Sequence, residues 1–314
     1  MWLFLIISTL AWGIAEIFYK KGCAQNEKYS HLKVTIFVGF FMGIYALVEL
    51  FAGGVDLKSF PLNFIYYSPV AACYIVSMIC SYFGVRFIEE SIADPIENSG
   101  SAIVPILCAV FLHEKFGYLS IIAISIIFIG LIGISVFDKK GKENREKRLG
   151  KRIAIWAIAM PFCYMLLDAT GTFLDIFYTE DVTRTLLINV SEANIEHTAN
   201  CAYEFTFFIV AIILYIFIRA KGERLFIKSE NDGVFAIIST QKWKILAGIF
   251  ETIGQATYLF ALSSGSGIAA VILGAGTVIV SLLLSRFFLK EKISVFQLIF
   301  VLIILSGIIM LSLL

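Results

Sequence analysis

Four carboxylates stand inside stretches that are otherwise apolar: Glu16, Glu97, Asp168 and Glu251. An ionisable group at the centre of a bilayer costs about 2.5–3.5 kcal/mol on insertion scales, so each one needs a reason to be there. Such groups can neutralise a cationic solute, and they can exchange protons, because a carboxyl group taken out of water holds its proton more tightly. Helical spacing gives each acid polar company. Trp12, Glu16 and Tyr19 stand at i, i+4 and i+7, as do Glu251, Gln255 and Tyr258. Tyr164, Asp168, Thr172 and Asp175 make another row, and Asp94, Glu97 and Ser101 a fourth. Lipid would penalise these stripes, so they are expected to face one another and line a shared cavity. Aromatic rings beside carboxylates suit an organic cation. The candidate substrate- or proton-binding residues are therefore Glu16, Glu97, Asp168 and Glu251, with Trp12, Tyr164, Gln255 and Tyr258 around them.

Each acid also has a plainer use. Glu16 could snorkel to the head groups or pair with Lys20 one turn on. Asp94 and Glu97 flank Pro95 near a helix start, where a carboxylate stabilises the N-terminus through the helix dipole, and for this pair the structural role is the stronger expectation. Asp168 and Glu251 have no cation nearby in sequence, which favours a cavity or proton-binding role. Glu114 and Glu291 end their helices next to Lys115 and Lys292 and read as structural. The in-span acids, with no mid-span base against them, lean towards a cationic or zwitterionic solute. Six cysteines form no CxxC pair, and the three histidines are scattered at 31, 113 and 197. No metal site and no cofactor are expected.

The elements that must position these groups follow from composition. Of 314 residues, 59% are hydrophobic and only 16% charged, against about 25% charged in soluble domains. Lys plus Arg (25) nearly cancels Asp plus Glu (24), which gives no case for nucleic acid. Ten segments have the apolar length to span a bilayer: 1–20, 34–53, 63–86, 92–113, 117–137, 153–177, 203–219, 245–262, 267–289 and 294–314. The first contains Glu16 and lacks a basic start and a cleavage site, so it is expected to be a retained helix. Of the 25 basic residues, all but Lys58, Lys115 and Arg184 fall in the connections after the odd-numbered spans or at their ends. By the positive-inside rule, both termini then lie outside, and the chain is expected in a plasma (inner) membrane. The basic linker 138–152 and loop 219–244 would be cytoplasmic. The acidic connection 178–202 would be outside, where it could fold over the outer mouth.

The two halves resemble each other at an offset of 177 residues. Phe111-Leu112-His113-Glu114-Lys115 matches Phe288-Leu289-Lys290-Glu291-Lys292, and sixteen residues past each glutamate stands Gly130 or Gly307. Tyr82 to Ala93 resembles Tyr258 to Ala269 with one residue of slippage. Five spans per repeat is odd, so the second half must insert upside down, a construction that lets two related halves rock about a midplane site. The expected fold class is an all-α polytopic membrane protein of ten transmembrane helices in a 5+5 inverted repeat. Residues 1–137 and 153–314 would be the repeats and 138–152 the link between them.

These stretches resemble the drug/metabolite transporter superfamily, in particular its ten-helix EamA-type members. The likeness rests on Trp12-Gly13, on Ile92 through Pro105 and Phe111-Leu112-His113-Glu114 to Gly130, and on Tyr258 through Glu291 and Gln297 to Gly307. It implies an inverted-repeat fold that moves small organic solutes by alternating access. Many such relatives have basic termini and cytoplasmic ends, whereas here the termini lack basic residues. The small multidrug resistance branch carries a first-helix glutamate that alternately binds protons and cationic substrate, and Ala15-Glu16 followed by Lys20 is similar. The expected function is thus secondary transport of a metabolite, amino acid or cationic drug-like compound, linked to protons and not enzymatic. No Walker A sequence is present to drive an ATP pump. Two alternatives stay open. A membrane-embedded enzyme acting on a lipid or prenyl substrate would need a DDxxD or HxxxxD arrangement, which is missing. A receptor or scaffold leaves the in-span acids unexplained. The expected partners are the solute, the bilayer and coupled protons, and a homodimer is left open.

Overall fold

A computed structural model of the chain describes residues 2–136, 150–226, 234–262 and 266–313. Every regular element among them is a helix, as expected where hydrocarbon leaves backbone groups no partner but their own segment. In chain order these are α1 (Trp2–Gly22), α2 (Ser30–Ala52), α3 (Phe60–Val85), α4 (Glu90–Leu112), α5 (Tyr118–Val136), α6 (Lys151–Thr179), α7 (Ile195–Ala220), α8 (Val234–Leu262), α9 (Ser266–Leu284, continued by a wide turn over Ser285–Leu289) and α10 (Val295–Ser312). Eight of the ten are long and apolar enough to cross a membrane, and α5 and α10 are shorter apolar helices. Their outward faces carry bare apolar side chains, among them Phe51, Ile65, Ile129, Ile213, Phe287 and Leu302. A water-facing surface of that kind would aggregate, so the chain is an integral membrane protein.

Several ends differ from the sequence expectation. Helix α6 runs on to Thr179 and α7 begins at Ile195, so the connection between them is 180–194 and not 178–202. Hydropathy alone missed the first turns of α7 because Glu196, His197 and Asn200 are polar; packing against α2 and α3 holds them helical. Likewise α8 starts at Val234, which puts Lys242 and Lys244 on a helix and not in the expected loop 219–244. Most of the basic linker 138–152 falls at 137–149, outside the described residues.

Inside α4 the helix tightens over Ser99–Ala102 before resuming at Val104. Pro105 explains the break, since it donates no N–H and its ring crowds the carbonyl of Ser101. At their far ends α4 and α9 share one device. A wide turn (Cys108–Leu112, Ser285–Leu289) is followed by a left-handed residue, His113 at φ 58° and Lys290 at φ 57°. The N–H groups of Glu114 and Glu291 then return to Cys108 O and Ser285 O, each at 3.3 Å.

Helix α1 packs on α8 and α9, while α3 packs on α6 and α7. Helix α2 lies against α7 and α8, α4 against α9 and α6, and α5 against α10. The α5–α10 contact is reciprocal. A Cβ on Gly130 would lie 2.5 Å from Ile304 Cγ1, and one on Gly307 would lie 2.6 Å from Ile127 Cγ1. At the basic end, Glu27 accepts from Lys33 (2.9 Å) and Lys244 (2.7 Å), tying the α1–α2 turn to α8. At the opposite end, connection 180–194 is anchored beside the α2–α3 turn. Asn63 Nδ2 donates to Ile188 O (3.0 Å) and its Oδ1 accepts from Ile188 N (2.7 Å), while Asn194 Nδ2 donates to Gly54 O (3.0 Å).

Candidate binding cavity

The polar stripes converge on one cavity of about 70 Å³ within the bundle. Helix α1 contributes Trp12, Glu16 and Tyr19, and α8 contributes Glu251, Gln255 and Tyr258. Tyr164, Asp168 and Thr172 come from α6, Asn98 and Ser101 from α4, and Gly274 and Thr277 from α9. Gly274 leaves room there, since a Cβ on it would lie 2.8 Å from Ser101 Oγ. Of the eight candidates named from the sequence, Trp12, Glu16, Tyr164, Asp168, Glu251, Gln255 and Tyr258 all border this space.

Glu97 does not border it. It is buried (1% exposed) with Ser81 as its hydrogen-bond partner, and Asn98 and Ser101 occupy the wall where Glu97 was expected. Asn98, the next residue along the same regular turn, faces the cavity, and Glu97 turns towards Ser81 of α3. Helical spacing of the acids does not point to other wall residues, among them Tyr74, Met78, Ser81 and Tyr82 of α3, Asn98 of α4, Tyr203 of α7 and Thr277 of α9. Tyr74, Met78 and Tyr82 stand at i, i+4 and i+8, a row that the sequence contains but that holds no charge to mark it as a cavity wall.

Hydrogen bonds give the walls two kinds of acid. Tyr19 donates to Glu251, and Tyr164 is the partner of Asp168 one turn on. Each of these carboxyl groups keeps lone pairs for a ligand. Asp175 stands behind the wall instead, accepting from Tyr67 and, at 2.6 Å, from Tyr74. The Tyr258 hydroxyl meets Tyr74 Oη at 2.8 Å and Thr172 Oγ1 at 2.9 Å, closing the end away from the basic loops. Gln255 Nε2 donates to Asn200 Oδ1 at 3.1 Å, which fixes its amide. The Trp12 and Tyr258 rings lie 4.9 Å apart and those of Tyr19 and Tyr82 4.7 Å apart. No lysine or arginine lines the cavity among the described residues.

The alternative pairing of Glu16 with Lys20 is not formed. Lys20 Nζ donates to the carbonyl oxygens of Val85 (2.6 Å) and Ile88 at the end of α3. That frees Glu16 to meet Glu90 and Asp94 from the start of α4. Glu291 takes a structural position: its carboxylate accepts from the backbone N–H groups of Glu90 (3.0 Å) and Ser91 (2.9 Å), at the N-terminus of α4.

A membrane-embedded acidic and aromatic cavity between many helices is a transporter's geometry, and comparison with known proteins agrees. The model of the EamA-like transporter family matches residues 1–136 and 187–313. The chain belongs to the EamA-like transporter family, within the drug/metabolite transporter superfamily. Members of this family are generally transporters and not enzymes. No curated protein matches the chain by sequence. Among solved structures, one described only as "Crystal structure of protein" is similar over 98% of both chains, with a TM-score of 0.57 and 11% identity. At that identity the likeness concerns the fold alone.

Proposed function

We propose that this EamA-like protein is a secondary transporter that carries a small organic solute, cationic or zwitterionic, by alternating access between two inverted five-helix repeats. The single observation that carries the substrate class is the cavity wall: Glu16, Asp168 and Glu251 among Trp12, Tyr74, Tyr164 and Tyr258, with no basic residue facing them. Such a wall attracts positive charge through carboxylate pairing and cation–π contact. The solute would sit between Glu251 and Asp168, with Gln255 supplying an oriented amide. Exchange of a proton at these carboxyl groups would link transport to the proton gradient.

Support for the repeat comes from the packing. Exchanging each helix with the one five places on converts α1–α8 into α6–α3, α1–α9 into α6–α4 and α2–α8 into α7–α3, and all of these contacts exist. The α4–α9, α2–α7 and α5–α10 contacts map onto themselves. On this reading residues 1–137 and 153–314 are the repeats, 138–152 the linker, and all ten helices cross the membrane. The placement of basic residues favours termini outside and a plasma-membrane location.

The test is thermal stabilisation of the purified protein by amino acids, polyamines, aromatic cations, nucleotide sugars and sugar phosphates, at pH 5.5 and 7.5. A cationic or zwitterionic ligand is expected to stabilise in a pH-dependent way. Glu251→Gln and Asp168→Asn are expected to abolish the shift and impair uptake into liposomes, whereas Glu114→Gln is not. Equal effects of all three on folded protein would refute the assignment of these residues. Stabilisation by sugar phosphates alone would refute the substrate class.

A further inference from the structure

Below the cavity, towards the basic loops, lies a second group of carboxylates, of which only Glu16 also borders the solute cavity. Glu16, Glu90 and Asp94 each place an oxygen within 4.8 Å of the others, and all three are buried. Asp94 is oriented by Ser281, which donates to one oxygen, and by Asn98, which donates to the other. Glu90 is 0% exposed; it meets Glu16 carboxyl to carboxyl, but no N–H or hydroxyl group donates to either of its oxygens or to Oε2 of Glu16. Independently of the three, Glu97 is 1% exposed and leaves Oε1 without a donor. Its charge acts on both Glu16 and Glu90.

The nearest base offsets this excess of negative charge only in part. Lys20 directs its ammonium at the carbonyl oxygens of Val85 and Ile88 and forms no ion pair with Glu16, and its one charge acts on both Glu90 and Glu291. Unpaired buried charge is costly enough that a counter-ion or a bound proton must accompany it. Three hard oxygens within 4.8 Å of one another share a centre no more than about 2.8 Å from any of them, so a shift of a few tenths of an ångström brings all three to the roughly 2.3–2.6 Å at which ions of Ca²⁺ size bind oxygen.

We propose that Glu16, Glu90 and Asp94 form a binding site for a hard metal cation of Na⁺ or Ca²⁺ size, next to the solute cavity and sharing Glu16 with it. The cation supplies the charge that these carboxylates lack and locks the start of α4 against α1. Because Glu16 borders both sites, cation and solute alter each other's affinity by the same factor. That coupling rests on the proposed transport function, whereas the cation site itself does not.

The experiment uses the purified full chain in detergent without solute, at pH 8 and constant ionic strength set with choline chloride. Binding of ²²Na⁺ and ⁴⁵Ca²⁺ is measured directly, and thermal stability is followed as NaCl or CaCl₂ replaces choline. Saturable binding of one of the two ions, with a matching rise in melting temperature, is expected. Glu90→Gln and Asp94→Asn are each expected to weaken it by at least about tenfold, and Glu223→Gln, in an exposed ion pair with Lys28, is expected to leave it intact. Glu90→Gln removes a like charge, so its protein is expected to fold and to melt at a temperature that no longer depends on the cation. Stability that responds to pH but to neither ion would overturn the proposal in favour of bound protons. Wild-type binding retained in Glu90→Gln and Asp94→Asn would overturn it too. Cation binding in a protein that no solute of the thermal-stabilisation panel stabilises would count against the transport reading alone.

Discussion

Replacing Gly130 by alanine brings a methyl group to 2.5 Å from Cγ1 of Ile304 and 3.4 Å from the carbonyl oxygen of Phe300. Carbon atoms pack at about 3.5–4.0 Å, so roughly 1 Å of separation must be recovered. Ile304 cannot yield by rotation, because a β-branched side chain in a helix has one strongly preferred χ1 and Ile304 is completely buried. The α5 and α10 backbones must move apart instead. Overpacking of this kind costs about 1–3 kcal/mol, and the better helix propensity of alanine offsets up to about 1 kcal/mol of it. The net expectation for Gly130→Ala is a loss of about 1–2 kcal/mol. Gly307→Ala meets Ile127 Cγ1 at 2.6 Å and Ala123 O at 3.1 Å, so its loss is expected to match within about 0.5 kcal/mol. Ile304→Ala alone opens a void worth about 2–5 kcal/mol. Combined with Gly130→Ala, the added methyl occupies part of that void, and the double variant is expected to be about 1–2 kcal/mol more stable than the sum of the singles. The assay is reversible unfolding in mixed micelles for the four variants and the wild type. Additivity within about 0.3–0.5 kcal/mol, or a Gly130→Ala variant as stable as the parent, would refute the close-contact argument. A large difference between the two glycines would refute their equivalence, and with it a main support for the two-fold relation between the halves.

Other expectations concern the two ends of the bundle. Glu291→Ala strands the N–H groups of Glu90 and Ser91 at the start of α4, and unfolding is expected to show a loss of about 1–2 kcal/mol, with Glu291→Gln keeping part of it. Glu27→Gln leaves Lys33 and Lys244 buried without their counter-charge; a loss of about 3 kcal/mol is expected, and Lys244→Met in the same protein is expected to restore part of it. At the opposite end, hydrogen bonds from Ser59, from the Lys58 N–H and from Asn189 hold the Asp56 carboxyl below the usual aspartate range. Thr183 does the same for Asp181. A carboxyl depressed in the folded state contributes stability that is present above its unfolded value, near 3.9, and is lost as pH falls through the lower folded value. Hydrogen-exchange protection across 181–194 is therefore expected to hold from neutral pH to about 4 and to fall below that, and Asp56→Asn is expected to weaken this dependence. Protection that declines between pH 7 and 5 would contradict it.

The membrane class, the ten helices and most of the cavity acids were legible in the primary sequence. Bilayer thickness sets a length that only long apolar runs meet, and a carboxylate inside such a run has few tolerable places to go. For the same reason Glu16, Asp168 and Glu251 could be expected at a common cavity from helical spacing alone. The matching ends of α4 and α9 were also foreshadowed, because Phe-Leu-x-Glu-Lys recurs with the same backbone turn. Spacing along one helix says nothing, however, about the rotation of that helix against its neighbours. Tertiary packing decided that Asn98 and not Glu97 faces the cavity, and that the uncharged row Tyr74, Met78 and Tyr82 enters it. It also decided that Lys20 spends its charge on α3 carbonyl oxygens, leaving Glu16 to meet Glu90 and Asp94 from more than seventy residues away. Local sequence sets which groups must leave lipid; only the three-dimensional register of helices sets which of them meet.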